Sequence, residues 1–202
     1  MPLLYHNNNS ISNVTSFPQV PSGSPVLLST ATASASSSIS FTSGIDSTYD
    51  VYYFEFINLH PSNDNTDTQV NFSTDSGSNW NVTKTTTFFR TFHNQNNDGD
   101  YAFGYYTPSD LAQSTSYQRL IPGIDSVSYA NGSGYLYLFN PSSTTYVKHF
   151  IARTNSWFDT GYSYESYIAG YCNTTSAVNG IIFRQASGNI DAGTIKMYGI
   201  KT

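Results

Sequence analysis

Glycoside hydrolysis needs two carboxylates facing one cleft, and Glu55 is the strongest candidate for one of them. It lies in the apolar run from Tyr52 to Asn58, where desolvation would raise its pKa towards that of a general acid. The plainer reading is a carboxylate paired with a nearby base or turned to solvent. No partner stands out, because nearly all the Asp residues lie in turn contexts. The histidines are His6, His60, His93 and His149, and none is spaced with Cys, Asp or Glu as metal ligands are. Asp64, Asp67, Asp98 and Asp100 could supply oxygens to calcium, but solvated turns explain them better. There is no Gly-X-Ser-X-Gly, no phosphate-binding Gly loop and no Cys-X-X-Cys. The expectation is a protein without catalytic residues, metal or cofactor.

Residues Ser73 to Trp80 follow the Asp-box spacing Ser-X-Asp-X-Gly-X-X-Trp, the pattern of sialidase-type propellers. Its physics is local. Asp75 accepts hydrogen bonds from turn amides, Gly77 takes a positive φ and Trp80 packs beneath. A sialidase would also need repeated boxes and clustered arginines, whereas Arg90, Arg119, Arg153 and Arg184 are far apart in sequence. Asp75, Gly77 and Trp80 are therefore expected to build a structural hairpin.

The stretch from Trp157 to Tyr167 is the best binding candidate. Trp157, Phe158, Tyr162, Tyr164 and Tyr167 alternate there with small polar groups, and an exposed loop of this kind suits sugar stacking and protein interfaces alike. The competing reading is a pair of edge strands whose aromatics cover the core.

The elements that would position these residues follow from composition. The chain has 202 residues, enough for one domain with a real core. Its 17 Tyr and 13 Phe, against two Trp and two Met, favour pleated, half-buried surfaces. Only 10% of residues are charged, and Glu, Lys and Gln, the usual coat of a surface helix, are scarce. A net charge of -5, with the basic residues scattered from Lys84 to Lys201, argues against nucleic acid as a partner. The N-terminus has neither the basic region nor the apolar run of a signal peptide, and no stretch is long enough for a transmembrane helix, so no membrane partner is expected. Cys172, the one cysteine, reads as a small buried hydrophobe.

Residues 1 to 40 carry no charge and contain Pro18, Pro21, Pro25 and a Ser/Thr/Ala tract from Ser29 to Ser38. They read as an extended N-terminal arm that cannot form a core alone, with Val26 to Leu28 available as a first strand. From Phe41 to the end, short strands separated by Gly, Asn, Asp and Pro turns predict a single domain over residues 41 to 202. Tyr49 to Leu59 is the clearest strand. Tyr52, Phe54 and Phe56 share one face and Val51, Tyr53, Ile57 and Leu59 the other, so it is either covered on both sides or meets a partner. A short helical turn is expected at Leu111 to Gln113. The fold class is all-β: a jelly-roll-like antiparallel β-sandwich with an extended N-terminal arm.

The closing stretch Ser187 to Lys201, together with Phe41 to Asp50, Tyr52 to Asn58 and Leu138 to Lys148, resembles the small β-sandwich virion structural proteins of marine tailed bacteriophages, including those of cyanobacteria. The resemblance covers roughly Phe41 to the end and carries no catalytic motif. It implies a non-enzymatic virion component, assembled in the bacterial host cytoplasm. Such a protein would decorate the capsid or attach to the tail through its arm. Its partners would be major capsid or tail proteins and copies of itself. The alternative is a lectin-like host-recognition module of a tail fibre that binds surface glycan.

Overall fold

The computed structural model describes residues 23–201. Twelve strands form its framework, and no α-helix occurs among the described residues. The strands are β1 (Val26–Thr32), β2 (Ile39–Phe41), β3 (Val51–Pro61), β4 (Thr66–Ser73), β5 (Lys84–Asn94), β6 (Tyr101–Tyr105), β7 (Gln118–Ile124), β8 (Gly132–Phe139), β9 (Lys148–Phe158), β10 (Tyr162–Cys172), β11 (Gly180–Gln185) and β12 (Ile190–Ile200). One 3-10 turn, Thr107–Ser109, precedes β7. It lies just upstream of the expected Leu111 to Gln113, because Pro108 presets a helical φ at that point.

All pairings between these strands are antiparallel. Eight strands run β1-β12-β3-β8-β9-β10-β5-β6, and four run β7-β4-β11-β2. The two layers join where Ile124 at the end of β7 pairs with Phe158 at the end of β9. Strict alternation in β9 sends Phe150, Ala152 and Thr154 inward and His149, Ile151 and Arg153 outward. The core fills with aromatics where the layers meet. Phe183 of β11 lies 5.1 Å from Phe56 and 5.7 Å from Phe54, both of β3, and Phe72 of β4 lies 5.1 Å from Phe150 of β9. This is the all-β sandwich expected from composition.

β1 extends beyond Val26 to Leu28 into the Ser/Thr/Ala tract and edges the large sheet beside β12. β2, with Ile39 and Phe41 buried, edges the small one. The rest of the expected arm, residues 1–22, lies outside the described residues.

β3 departs from strict alternation at one point. Leu59 faces inward and is fully buried, not outward with Val51, Tyr53 and Ile57. Asn58 takes a φ of 51°, which makes a bulge and shifts the register between Phe56 and Leu59. Gly193 lies opposite, where a Cβ would sit 2.5 Å from the Asn58 carbonyl oxygen.

The Asp box is a built turn, but not a hairpin. β4 and β5, which it connects, belong to different sheets and do not pair, because each already has two other neighbours. The Asp75 Oδ1 accepts from the Ser73 hydroxyl (2.6 Å) and the Asn79 N–H (2.9 Å), and Oδ2 accepts from the Asn79 side-chain amide (2.7 Å). A Cβ on Gly77 (φ 89°) would lie 3.0 Å from the Trp80 ring, so the indole does lie against the turn. The Ser73 hydroxyl, followed by the Asn79 side chain, holds the Asp75 carboxyl at a pKa of about 2. Because the folded pKa is depressed, this stabilisation is present above the unfolded value near 4 and is lost as pH falls through about 2. Asp75→Asn is expected to lower the melting temperature at neutral pH by about 2–4 °C, a difference that disappears in acid melts. An unchanged melting temperature at neutral pH would show that the box is dispensable.

Candidate functional site

Trp157 to Tyr167 is not a loop. β9 and β10 form a hairpin whose turn is only Asp159 to Gly161, with Asp159 at φ 47° and Gly161 at φ 114°. The two-residue period then divides the aromatic candidates. Phe158, Tyr162 and Tyr164 face the interior at the end of the sandwich, while Trp157 and Tyr167 face out from the large sheet.

On the interior side the Tyr164 ring stacks on Phe158 at 4.7 Å and on Phe92 at 5.9 Å. Arg90 of β5 lies over the Tyr106 ring at 3.9 Å and donates from Nη1 to the Tyr164 hydroxyl at 2.8 Å. Burial pushes the Tyr164 pKa up, against the opposing pull of Arg90. A cavity of about 200 Å³ opens here, with Asp100 and Asp159 on its lining. Tyr162 donates to the Asp100 carboxylate at 2.6 Å, and this bond raises the phenol pKa. The cavity therefore carries one cation and two carboxylates, a mixture suited to holding the hairpin in place.

Tyr167 belongs to a rung crossing the outer face, from Lys196 and Glu55 through Tyr135, Arg153 and Tyr167 to Phe89 and Tyr105. Its ring is parallel to Phe89 at 4.6 Å, and the Arg153 guanidinium lies 5.1 Å from its centre. Next along the sheet, Tyr53 gathers Tyr135, Tyr137 and Tyr198 around it at 4.9–6.1 Å. Burial within this cluster, with Glu55 nearby, pushes the Tyr53 pKa up to about 12. At the sheet edge, Tyr101, Phe103 and Tyr105 are 68%, 75% and 59% exposed. The second apolar face of β3 is thus part of an aromatic surface spanning the sheet.

Trp157 stands near the hairpin tip, about 13 Å along the sheet from the Tyr167 rung. It sits in a separate bowl of about 410 Å³ with Tyr129, Asn131, Asn155 and Gln95. The candidate set therefore falls into three places. The sequence did not single out Arg90, Gln95, Tyr129, Asn131 or Asn155. The alternation of β5 was a signal for Arg90 and Phe92, and that of β9 for Asn155 beside Trp157; Gln95, Tyr129 and Asn131 depend on how loops distant in sequence meet.

Glu55 lies on the outer face, where it accepts from the Tyr198 hydroxyl at 3.1 Å and has Lys196 at 3.8 Å. Glu165, three strands across and two residues along on the same face, is about 16 Å distant, beyond the spacing of a glycosidase pair. Asp67 pairs with Arg119 at 2.7 Å, and Asp64 caps the Ser126 N–H. Among the described residues, no three His, Cys, Asp or Glu side chains gather as a metal site. Cys172 is buried between Lys84 and Lys148, its neighbours across the sheet, and burial pushes its thiol up to about 12. Comparison with protein-family models, curated proteins and solved structures finds no match.

Proposed function

We propose that this chain is a non-enzymatic structural protein of a tailed-bacteriophage virion, held to capsid or tail proteins through its N-terminal arm. The observation that carries the reading is the strand order. The small sheet runs β2-β11-β4-β7, and the large one contains β3, the β8-β9-β10 meander, then β5 and β6. Counting the meander as one strand and leaving aside β1 and β12 at the edge, we read these eight strands as a jelly roll, an architecture shared by viral capsid and lectin domains. Fold alone does not give function, so the weight falls on the surfaces. The outer face is broad, aromatic and nearly neutral: Lys196 pairs with Glu55, and Arg153 with Glu165. Such a face suits contact with neighbouring subunits, copies of this chain included.

Residues 1 to 22 carry no Asp, Glu, Lys or Arg, and half of them are Asn, Ser or Pro, so ordering them costs about 1–2 kcal/mol per residue unless a neighbour supplies contacts. Deleting residues 1 to 22 is expected to leave a folded, soluble sandwich that no longer joins the particle. The measurement is occupancy of the truncated and full-length chains on particles lacking the protein. Normal occupancy of the truncated chain would move attachment to the outer face. Failure of the full-length chain to associate with any particle would overturn the virion reading.

The second reading, a lectin-like module that binds host glycan, is favoured by the bowl at Trp157.

A further inference from the structure

We infer that the bowl beside Trp157 is a binding site for a neutral saccharide, a hexose or N-acetylhexosamine unit of a glycan; this rests on the second reading above. Its floor is the outer face of the large sheet, where β8 presents Ser133, β9 presents Asn155 and Trp157, and β10 presents Ser163. Three connections form its walls. Tyr129 and Asn131 come from the β7–β8 loop, Gln95 from the β5–β6 loop and Gly161 from the β9–β10 turn. The floor is thus rigid sheet and the walls are fastened to it. The Trp157 N–H donates to the Asn131 carbonyl at 3.0 Å, and the Gln95 N–H donates to the Gly161 carbonyl at 3.0 Å. Tyr129 stands edge-on to the Trp157 indole, at 5.5 Å and 88°. Tyr129 is 68% exposed.

The chemistry of the lining selects the ligand. Among the described residues, no charged side chain lines the bowl. An ionic ligand would lose hydration there without gaining a counter-charge. A hydrocarbon would leave amides and hydroxyls unpaired. A sugar ring has what the bowl lacks: an apolar C–H face for the aromatics and a rim of hydroxyls for the amides. Polar groups are available to that rim. Asn155 uses its amide hydrogens on the Ser163 hydroxyl (3.1 Å) and the Tyr164 carbonyl (3.2 Å), leaving Oδ1 as an acceptor. Among the described residues, the Gln95 side-chain amide and the Trp157 Nε1–H make no hydrogen bond, so both remain for a ligand. Gly161 is what allows Gln95 its place, because a Cβ there would lie 2.3 Å from the Gln95 Nε2. The volume of about 410 Å³ falls in the small-ligand range of about 300–1,000 Å³.

The test uses the full chain with Trp80→Phe, which leaves Trp157 as the only indole. Laminarin, mannan, galactan and chitohexaose are the neutral probes; polygalacturonate and dextran sulfate are the charged ones. At least one neutral probe is expected to shift the Trp157 fluorescence with a Kd of about 1 mM or tighter. Trp157→Ala is expected to weaken that binding at least about tenfold by calorimetry, and Tyr129→Ala about threefold or more. Tyr129 is exposed and on a loop, so its variant decides the matter if Trp157→Ala unfolds. Affinity retained in both variants would overturn this site while leaving the glycan reading standing. Binding of charged probes alone would overturn this site while leaving the glycan reading standing, and binding of no probe up to about 10 mM sugar units would overturn both.

Discussion

Phe183→Ala is expected to remove about 3–5 kcal/mol of folding stability. Phe183 is fully buried on β11, the strand between β4 and β2 in the small sheet. Its ring meets Phe54 at 5.7 Å and Phe56 at 5.1 Å across the layers, and Phe41 at 6.4 Å within its own. Truncation removes the transfer free energy of the ring and leaves a cavity lined by three other phenylalanines, which their strands hold in place. Phe183→Leu fills much of that volume and is expected to cost well under half as much. Against a typical stability of about 5–15 kcal/mol, that loss is about a fifth of the total or more. Urea unfolding checks this through a lowered midpoint at an unchanged slope. A loss below about 1 kcal/mol would mean the two layers are not joined through this ring.

The same period-2 logic explains what the sequence made legible. Aromatic and β-branched runs between Asn, Asp and Gly turns gave the strands, and the parity of Tyr52, Phe54 and Phe56 gave the core face of β3. Parity says which way a residue points but not which strand lies beside it. The pairing of Leu27 with Tyr198, or of Phe183 with both Val70 and Ile39, joins segments far apart in the chain, so nothing local encodes it. Leu59 escapes the parity of β3 because the bulge depends on one residue, Asn58, adopting a positive φ. The aromatic candidates share one stretch of sequence, but that stretch is a hairpin and not a loop. Once Asp159 to Gly161 make the turn, alternation must send Trp157 and Phe158 to opposite faces. The Trp157 bowl was half legible. Its indole and Ser163 lie in the hairpin, whereas Tyr129, Asn131 and Gln95 arrive from loops that only the three-dimensional fold brings together.

Lys84 carries the second large effect, and it runs against the habit of placing lysines in water. Lys84 shares its parity with Thr86 and Phe88, and Lys148 shares that of Phe150 and Ala152, so both face inward and both are fully buried. Neither forms a salt bridge with a carboxylate among the described residues. The Lys84 Nζ donates to the Asn71 Oδ1 at 2.7 Å and the Val82 carbonyl at 3.0 Å, while Lys148 donates to the carbonyls of Tyr146 and Thr174. Burial lowers the Lys84 pKa to about 8, and that of Lys148 in the same direction. A folded pKa below the unfolded value near 10.5 means the unfolded chain binds more protons through the window between them. Stability then rises with pH from about 8 to 10.5. Measured as the difference between wild type and Lys84→Met, the rise is expected to be about 2 kcal/mol between about pH 7.5 and 9.5. Lys148, Cys172 and the tyrosines are present in both proteins, so their titration largely cancels in that difference. Urea unfolding of the two proteins across the window provides the measurement. A flat difference would mean that the Asn71 and Val82 oxygens keep Lys84 charged across this window, and that its burial carries no titration cost there.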